Sequence, residues 1–435
     1  MDKMQKTKYL IIGNSAGGIG AAEAIREMDR QGTVTIISDE PYPAYSRPLI
    51  ADYLASHRPL DKMLFRPPDF YEINNICARL GEKVTAVDFD GHSVSLEGGG
   101  RLEWSKLLLA TGGQAIVPPM KGLELDGVFR FITLDDARGI DAFITKHRMA
   151  AWAVVIGGGL IGVSSTEALT KRGVQVTMVE MKDYILNTIL DEEAASIEAA
   201  AIERAGVEII TGHTVNQIDG DRLGGVSGAV LDDGRRLECD MVILAIGVRP
   251  RIELVSGQDI KQDRGLIVDR FMATSKPDVY ACGDAAEAYE YVCGQNRLTP
   301  IWPNAYLGGW VAGSNMAGGK TEYPGGTAMN SMKYFGVDTV SAGSLIACDG
   351  CRVVETRYND VYKKVIIKDG LITGMVFSGD IEMVGIVYNL MKDRVDVSGF
   401  AEALIADDFG LASLPEEIWR NKLALTPCDQ TEVSR

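Results

Sequence analysis

Four unbroken apolar runs stand out along the chain, and each ends in a turn of small residues. Tyr9-Leu10-Ile11-Ile12 runs into Gly13, and Leu107-Leu108-Leu109 ends at Ala110-Thr111-Gly112-Gly113. Ala153-Val154-Val155-Ile156 runs into Gly157, and Met241-Val242-Ile243-Leu244 ends at Ala245-Ile246-Gly247. Continuous apolar runs of this length fit strands buried on both faces, as in a parallel sheet. After Gly13 the spacing becomes helical and predicts a helix over about 19–28, then a strand over 33–38. Residues 152–180 repeat that order and end in Val176-Thr177-Met178-Val179-Glu180. Beyond Tyr323-Pro324-Gly325-Gly326 the pattern turns to short strands, such as 339–343 and 362–367, followed by a helix-rich end and a polar tail after Pro427.

The repeated turns carry the chemistry. They read Gly13-Asn14-Ser15-Ala16-Gly17-Gly18 and Gly157-Gly158-Gly159-Leu160-Ile161-Gly162. Glycine before a helix lets the backbone approach a pyrophosphate, and the helix N-terminus presents unpaired N–H groups and partial positive charge to it. In the second copy Gly157, Gly159 and Gly162 fill all three fingerprint positions, and Glu180 follows 23 residues after Gly157. A carboxylate there accepts ribose hydroxyls and repels a 2′-phosphate, which favours NADH over NADPH, although Lys182 nearby softens that preference. The first copy has Ser15 where a second glycine is usual, with Gly13 and Gly18 in place. Asp39, 26 residues after Gly13, is the ribose acceptor preferred over Glu40. Two such turns imply two bound dinucleotides facing each other, the arrangement a flavin and a nicotinamide need to exchange a hydride.

The expected architecture is α/β, with two Rossmann-like, three-layer domains and a smaller α+β C-terminal domain. Pro118, Pro119 and Gly122 mark a crossing out of the first domain, and Val248-Arg249-Pro250 marks a return. The boundaries that follow are 1–118 with 248–325 for the first domain, 119–247 for the second and 326–435 for the third. At 435 residues the chain is too long for one ordinary core. A net charge of −16 argues against nucleic acid and anionic membranes as partners. No signal peptide and no apolar stretch of membrane-spanning length is visible. The seven cysteines are odd in number and mostly scattered, which suits a reducing cytoplasm. Cys348-Asp349-Gly350-Cys351 is a lone C-x2-C and reads as a turn with two incidental thiols rather than a zinc or redox site, so no metal is expected. The four histidines are dispersed and form no triad with Ser or Cys, which leaves hydrolysis without support.

With Ala281-Cys282-Gly283-Asp284 and Ala245-Ile246-Gly247-Val248-Arg249-Pro250, these motifs resemble the FAD-dependent pyridine nucleotide–disulfide oxidoreductase superfamily over about residues 8–325. Tyr45-Ser46-Arg47-Pro48-Leu49 and Thr299-Pro300-Ile301-Trp302-Pro303-Asn304 resemble one branch in particular. That branch contains the NADH:rubredoxin and ferredoxin reductases, the flavin portion of assimilatory nitrite reductases, and flavin subunits such as that of phenylglyoxylate dehydrogenase. The resemblance implies that the first domain binds FAD and the second NADH. It implies that Gly13, Ser15, Ala16 and Gly18 meet the FAD pyrophosphate, Asp39 beside Glu40 the adenosine ribose, and Asp284 with Gly283 the ribitol. Ala110, Thr111 and Gly112 would also line the FAD, with Arg47, Pro48 and Trp302 near the isoalloxazine. Gly157, Gly159, Leu160, Ile161, Gly162 and Glu180 would hold NADH, with Gly247 at its nicotinamide end.

Departures from the superfamily pattern narrow the reaction. No cysteine lies between Asp39 and Asp69, so a thiol relay at the flavin is not expected. Asp52 and Ser164 stand where some ferredoxin reductases have a lysine and a glutamate. The resemblance implies hydride transfer between NADH and FAD, then electron passage to rubredoxin, ferredoxin or an iron–sulfur subunit, in a homodimer or a larger complex. An acidic acceptor would need a local basic patch, for which Lys and Arg within 357–368 or 392–394 are candidates. Two alternatives remain: an NADH oxidase reducing oxygen, and a non-catalytic flavin-binding subunit.

Overall fold

The apolar runs line up side by side. The computed structural model describes residues 5–147 and 151–423, so Cys428 and the tail after Pro427 lie outside the described residues. Contacts divide the chain into two units: Met1–Thr188 with Ala199–Ala328, and Ile189–Glu198 with Met329–Arg435.

The first unit holds two parallel arrays. In one sheet the strands run in the order Ile76–Leu80, Val34–Ser38, Gln5–Ile12, Arg101–Leu109, Ser93–Leu96, Val84–Asp88, and Val279–Ala281 joins Arg101–Leu109 in parallel. Ile11 pairs with Ile36 on one side and Leu108 on the other, all fully buried. Burying each such side chain contributes about 1.5–3 kcal/mol relative to exposure. The other sheet is parallel throughout, in the order Glu208–Thr211, Gln175–Glu180, Trp152–Ile156, Met241–Leu244, Val128–Arg130. An antiparallel meander of Val215–Gly220, Val226–Leu231 and Arg236–Glu238 shares its core.

The first helix spans Ala16–Met28 and so begins three residues before its expected start. Gly17, Gly18 and Gly20 lower helix propensity, yet they lie inside the helix: Gly17 and Gly20 face another helix, Trp302–Met316, which crosses closely, and Gly18 faces the Gly13 carbonyl oxygen of its own turn. A Cβ on Gly309 would overlap the Gly17 carbonyl oxygen, one on Gly313 would overlap that of Ala21, and one on Gly20 would sit 2.5 Å from the Tyr306 oxygen. Part of the high glycine content therefore serves a helix crossing rather than turns. Asp284 caps no helix: it lies in a 3-10 turn, Gly283–Ala285, that leads into the strand Ala286–Glu290.

The second unit is an antiparallel sheet in the order Met329–Tyr334, Val337–Gly343, Leu371–Ser378, Val361–Lys368, Arg352–Tyr358. The helix Val384–Lys392 packs on Leu371–Ser378. Two expectations are corrected here. Cys348 and Cys351 are not separate thiols: the turn brings their Cα atoms to 5.4 Å and their sulfurs are bonded. Within the 357–368 stretch, Arg357 pairs with Glu193, Lys363 with Asp380 and Asp407, and Lys364 with Asp191, so these cations are not free for an acidic partner. Among the described residues no helix is long and apolar enough to cross a membrane.

Candidate functional site: two dinucleotide cradles

Each glycine turn is closed by the strand beside it. In the first copy Ala110 N–H donates to the Ile12 carbonyl at 2.9 Å and Gly13 N–H to that of Ile37 at 2.8 Å. Gly13 has a φ of +120°, and a Cβ there would overlap the Ala110 carbonyl oxygen. A Cβ on Gly18 would overlap the Gly13 oxygen. The second copy repeats this arrangement. Ala245 N–H donates to Ile156 and Gly157 N–H to Val179, each at 2.8 Å. A Cβ on Gly157, at φ +106°, would stand 2.5 Å from the Ala245 oxygen, and one on Gly162 would overlap the Gly157 oxygen. These four glycines are required by the fold itself.

Gly159 is different. It caps the Leu160–Lys171 helix at an ordinary φ of −77°, and a Cβ there would meet nothing within 4 Å. Gly112 likewise faces open space. At Gly159 nothing in the protein itself demands glycine. Ser15 caps the Ala16–Met28 helix without a side-chain capping bond, and neither helix has an acidic residue in its first turn. Both helix N-termini thus present N–H groups and dipole with no carboxylate in their own first turns. Leu160 and Ile161 open the second helix half-buried.

The carboxylates around the first cradle are unequally committed. Glu40 pairs through Oε1 with Arg47 and accepts the Tyr45 hydroxyl at Oε2, 2.6 Å away. Tyr45 in turn accepts Leu134 N–H at 3.0 Å. Asp39 meets Arg251 through Oδ2 alone, at 2.7 Å. Burial pushes the Asp39 carboxyl up, but the Arg251 hydrogen bond and charge outweigh it and hold it below the usual carboxylate range. Asn14, Ser15, Ser38, Glu40, Tyr42, Tyr45 and Arg47 line one recess. Asn14 is braced by Tyr71, whose hydroxyl donates to Oδ1 at 2.8 Å.

Asp284 is half-buried and has no hydrogen-bond or ion-pair partner among the described residues. Burial raises its carboxyl above the ordinary value, and the Arg47 charge opposes that rise. A carboxylate held in a recess without a protein partner has oxygens free to accept hydrogen bonds. Neighbouring Cys282 is fully buried, and burial pushes its thiol up to about 12. The Thr111 hydroxyl is committed to the Arg251 carbonyl at 2.6 Å. Trp302 opens its helix with its ring edge-to-face against Phe65, centroids 5.0 Å apart, and Pro48 lies in the 3-10 turn Arg47–Leu49. In the same helix the Ala305 carbonyl oxygen would lie 3.2 Å from a Cβ on Gly17.

In the second cradle Glu180 is buried and accepts Gly158 N–H at 2.7 Å and Lys182 N–H at 2.8 Å, one on each oxygen. Each oxygen keeps a lone pair for a ribose hydroxyl. Gly247, at φ +114°, has only Ile116 Cδ1 near its Cβ side, 3.8 Å away, and the adjoining Ile246 is exposed. Motif spacing did not identify Asn14, Tyr71, Tyr45, Gly158 or Arg251, which act through folded contacts. His213, Asp232 and Asp233 also cluster, but both imidazole nitrogens face carboxylates and Asp233 is held by Arg235 at 2.6 Å, the pattern of an ion-pair network.

Comparison with known proteins matches residues 7–309 to the family model described as pyridine nucleotide-disulphide oxidoreductase. Residues 329–395 match the rubredoxin NAD+ reductase C-terminal domain. The chain is 30% identical to subunit epsilon of the NADH-dependent phenylglyoxylate dehydrogenase of Aromatoleum evansii, over 97% of this chain and 100% of that one. It is 28% identical to the NADH-rubredoxin oxidoreductase of Clostridium acetobutylicum, covering 87% of this chain and 93% of the relative. It spans about half the length of the nitrite reductases it also matches. The crystal structure of a ferredoxin reductase from Rhodopseudomonas palustris superposes with a TM-score of 0.85 at 23% identity, covering 93% of this chain and 99% of that one, which establishes the shared fold.

Proposed function

Because the chain belongs to the pyridine nucleotide-disulphide oxidoreductase family, we propose that its two cradles hold FAD and NADH and that electrons pass from NADH to a protein acceptor. FAD is assigned to the sheet containing Gln5–Ile12 and NADH to the sheet containing Trp152–Ile156. Bound FAD supplies the chemistry, two-electron exchange with a nicotinamide and single-electron exchange with a metal centre.

The side chains bind and orient. The free N–H groups at the start of Ala16–Met28, beside Gly13 and Ser15, receive the FAD pyrophosphate. Asp39 is better placed than Glu40 to take the adenosine ribose, because only one of its oxygens is committed to a protein cation. Asp284 accepts ribitol hydroxyls, with the half-buried Arg47 supplying a fixed positive charge near it. Gly159 and the start of Leu160–Lys171 receive the NADH pyrophosphate, and Glu180 its ribose. Hydride transfer asks no side chain for a proton, so proximity and orientation are the protein's contribution. Downstream, the reading is a rubredoxin- or ferredoxin-type iron protein, or an iron–sulfur subunit, as acceptor. The second unit's match to a rubredoxin reductase domain supports it.

The observation that carries the reading is the same glycine–carbonyl closure behind two helix N-termini whose first turns hold no acidic side chain. The test is anaerobic rapid mixing of the FAD-loaded protein with NADH, followed by addition of oxidised rubredoxin or ferredoxin. Flavin absorbance should bleach with NADH and return with the iron protein. A chain that cannot take up FAD, or whose flavin NADH leaves oxidised, refutes it. Return of colour with oxygen at a matching rate, and not with either iron protein, would make it an oxidase.

A further inference from the structure

Outside the cradles, one pair of reactive side chains has no role in the proposed flavin reaction. Cys348 and Cys351 are joined across the turn between Val337–Gly343 and Arg352–Tyr358. A cross-link spanning three residues closes little chain and so constrains the unfolded state weakly compared with one closing a long loop. The turn also has its own backbone bond, from Cys351 N–H to the Cys348 carbonyl at 3.0 Å. Neither sulfur is in a core, since Cys348 is exposed and Cys351 only half-buried. Structural stapling is a poor account of this pair.

We propose that Cys348–Cys351 is a reversible thiol–disulfide exchange site that accepts electrons from an external dithiol. The two sulfurs are not equivalent. Cys348 is the more open to an incoming thiolate, and Cys351 Sγ already accepts the Cys348 backbone N–H at 3.2 Å. Attack by the donor thiolate on Cys348 Sγ forms a donor–Cys348 disulfide and breaks the internal S–S bond. The electron pair leaves on Cys351, whose thiolate keeps that N–H donor from the outset. The donor's second thiolate then attacks its own sulfur in the mixed disulfide and releases Cys348. Water protonates both thiolates, so two electrons and two protons have moved and the donor has become a disulfide. The other described cysteines cannot substitute. Cys239 and Cys282 are buried thiols pushed up to about 12, and Cys77 and Cys293, though exposed, have no bonded partner sulfur.

This site goes beyond the flavin reaction and does not depend on it. The test equilibrates the full-length, FAD-loaded protein in buffers of graded reduced and oxidised dithiothreitol, quenches with an alkylating agent, and reads labels peptide by peptide by mass spectrometry. Site resolution is needed because Cys77 and Cys293 are exposed as well. Cys348 and Cys351 should convert together from unlabelled to doubly labelled. The midpoint should depend on the ratio of the two dithiothreitol forms and not on their total concentration. With Cys351→Ser, glutathione disulfide should trap Cys348 as a stable mixed disulfide, at least tenfold faster than it traps Cys351 in Cys348→Ser. The proposal is overturned if both thiols label fully in oxidised buffer, if both stay protected in reduced buffer while flavin absorbance is intact, or if the pair holds one zinc per chain. The wild-type titration decides the matter even if a variant fails to fold.

Discussion

Replacing Gly159 by alanine separates what the ligand demands from what the fold demands. The new Cβ would meet no protein atom within 4 Å and φ is −77°, so the free chain accommodates it. Alanine is a poorer N-cap than glycine by about 0.5–1 kcal/mol, and the smaller unfolded ensemble returns about 0.4–1 kcal/mol. Unfolding free energy should therefore change by less than about 1 kcal/mol. In the proposed complex the methyl group would stand where the pyrophosphate approaches the backbone. Losing one N–H bond to a charged oxygen costs about 1.5–3 kcal/mol, or about 10- to 100-fold in NADH affinity. Gly162→Ala is the counterpart, because its Cβ would overlap the Gly157 carbonyl oxygen, a backbone atom that cannot swing aside. That variant should lose about 3 kcal/mol of stability before any ligand is considered. Denaturant unfolding and anaerobic NADH titration of flavin reduction, run on both variants, read the two effects separately. Gly159→Ala folding normally and binding NADH within twofold of wild type would refute the assignment.

Three further outcomes follow from particular contacts. Gly309→Ala drives a methyl into the Gly17 oxygen and should cost about 3 kcal/mol together with FAD retention; an unchanged melting temperature would contradict the close crossing. Asp284 is raised above its ordinary 3.8 chiefly by burial, so its ionised form opposes folding, and wild-type stability falls as pH rises from 3.8 through the folded value. Asp284→Asn should therefore leave the FAD-free protein at least as stable at pH 7, with that advantage gone below pH 3.8, while FAD affinity drops; thermal melts and FAD titration check both halves. Asp29 shifts the opposite way, held below 3.8 first by the Lys8 amine and then by Gly32 and Gln31 N–H groups. Its contribution is full above 3.8 and fades as pH falls through the depressed range, so Asp29→Asn should cost about 1 kcal/mol at pH 7 and nothing in strong acid; a gap that widened on acidification would be the wrong sign.

The parallel strands of the two sheets were legible in the chain because a strand covered on both faces must be apolar throughout, as 9–12, 107–109, 153–156 and 241–244 are. The glycine turns were legible because their spacing reflects a local βα connection. The residues around them were less so. Arg251 reaches Asp39 across 212 residues of sequence, and no period announces such a pairing. The helical start at Ala16 was hidden by Gly17 and Gly18, whose low propensity is overridden by close approach, of Trp302–Met316 at Gly17 and of the Gly13 carbonyl at Gly18. The strand that follows Asp284 was not legible either, because the 3-10 turn Gly283–Ala285 that leads into it carries no periodic pattern. Cys348 and Cys351 read as incidental thiols because spacing alone does not report whether a turn closes.

The discontinuity of the first sheet has a consequence for synthesis. Gln5–Ile12 leaves the ribosome long before Val279–Ala281 and Trp302–Met316, yet the strand beside Arg101–Leu109 and the helix across Ala16–Met28 come from those late segments. A nascent chain ending soon after Leu109 would lack the strand partner of Leu107, Leu108 and Leu109 and the helix that crosses Ala16–Met28, leaving apolar surface exposed there. The Trp152–Ile156 sheet, complete by Leu244, can close earlier in translation. Flavin loading is then a terminal event of biogenesis, and truncation anywhere before Met316 should yield a polypeptide that aggregates rather than a smaller flavoprotein.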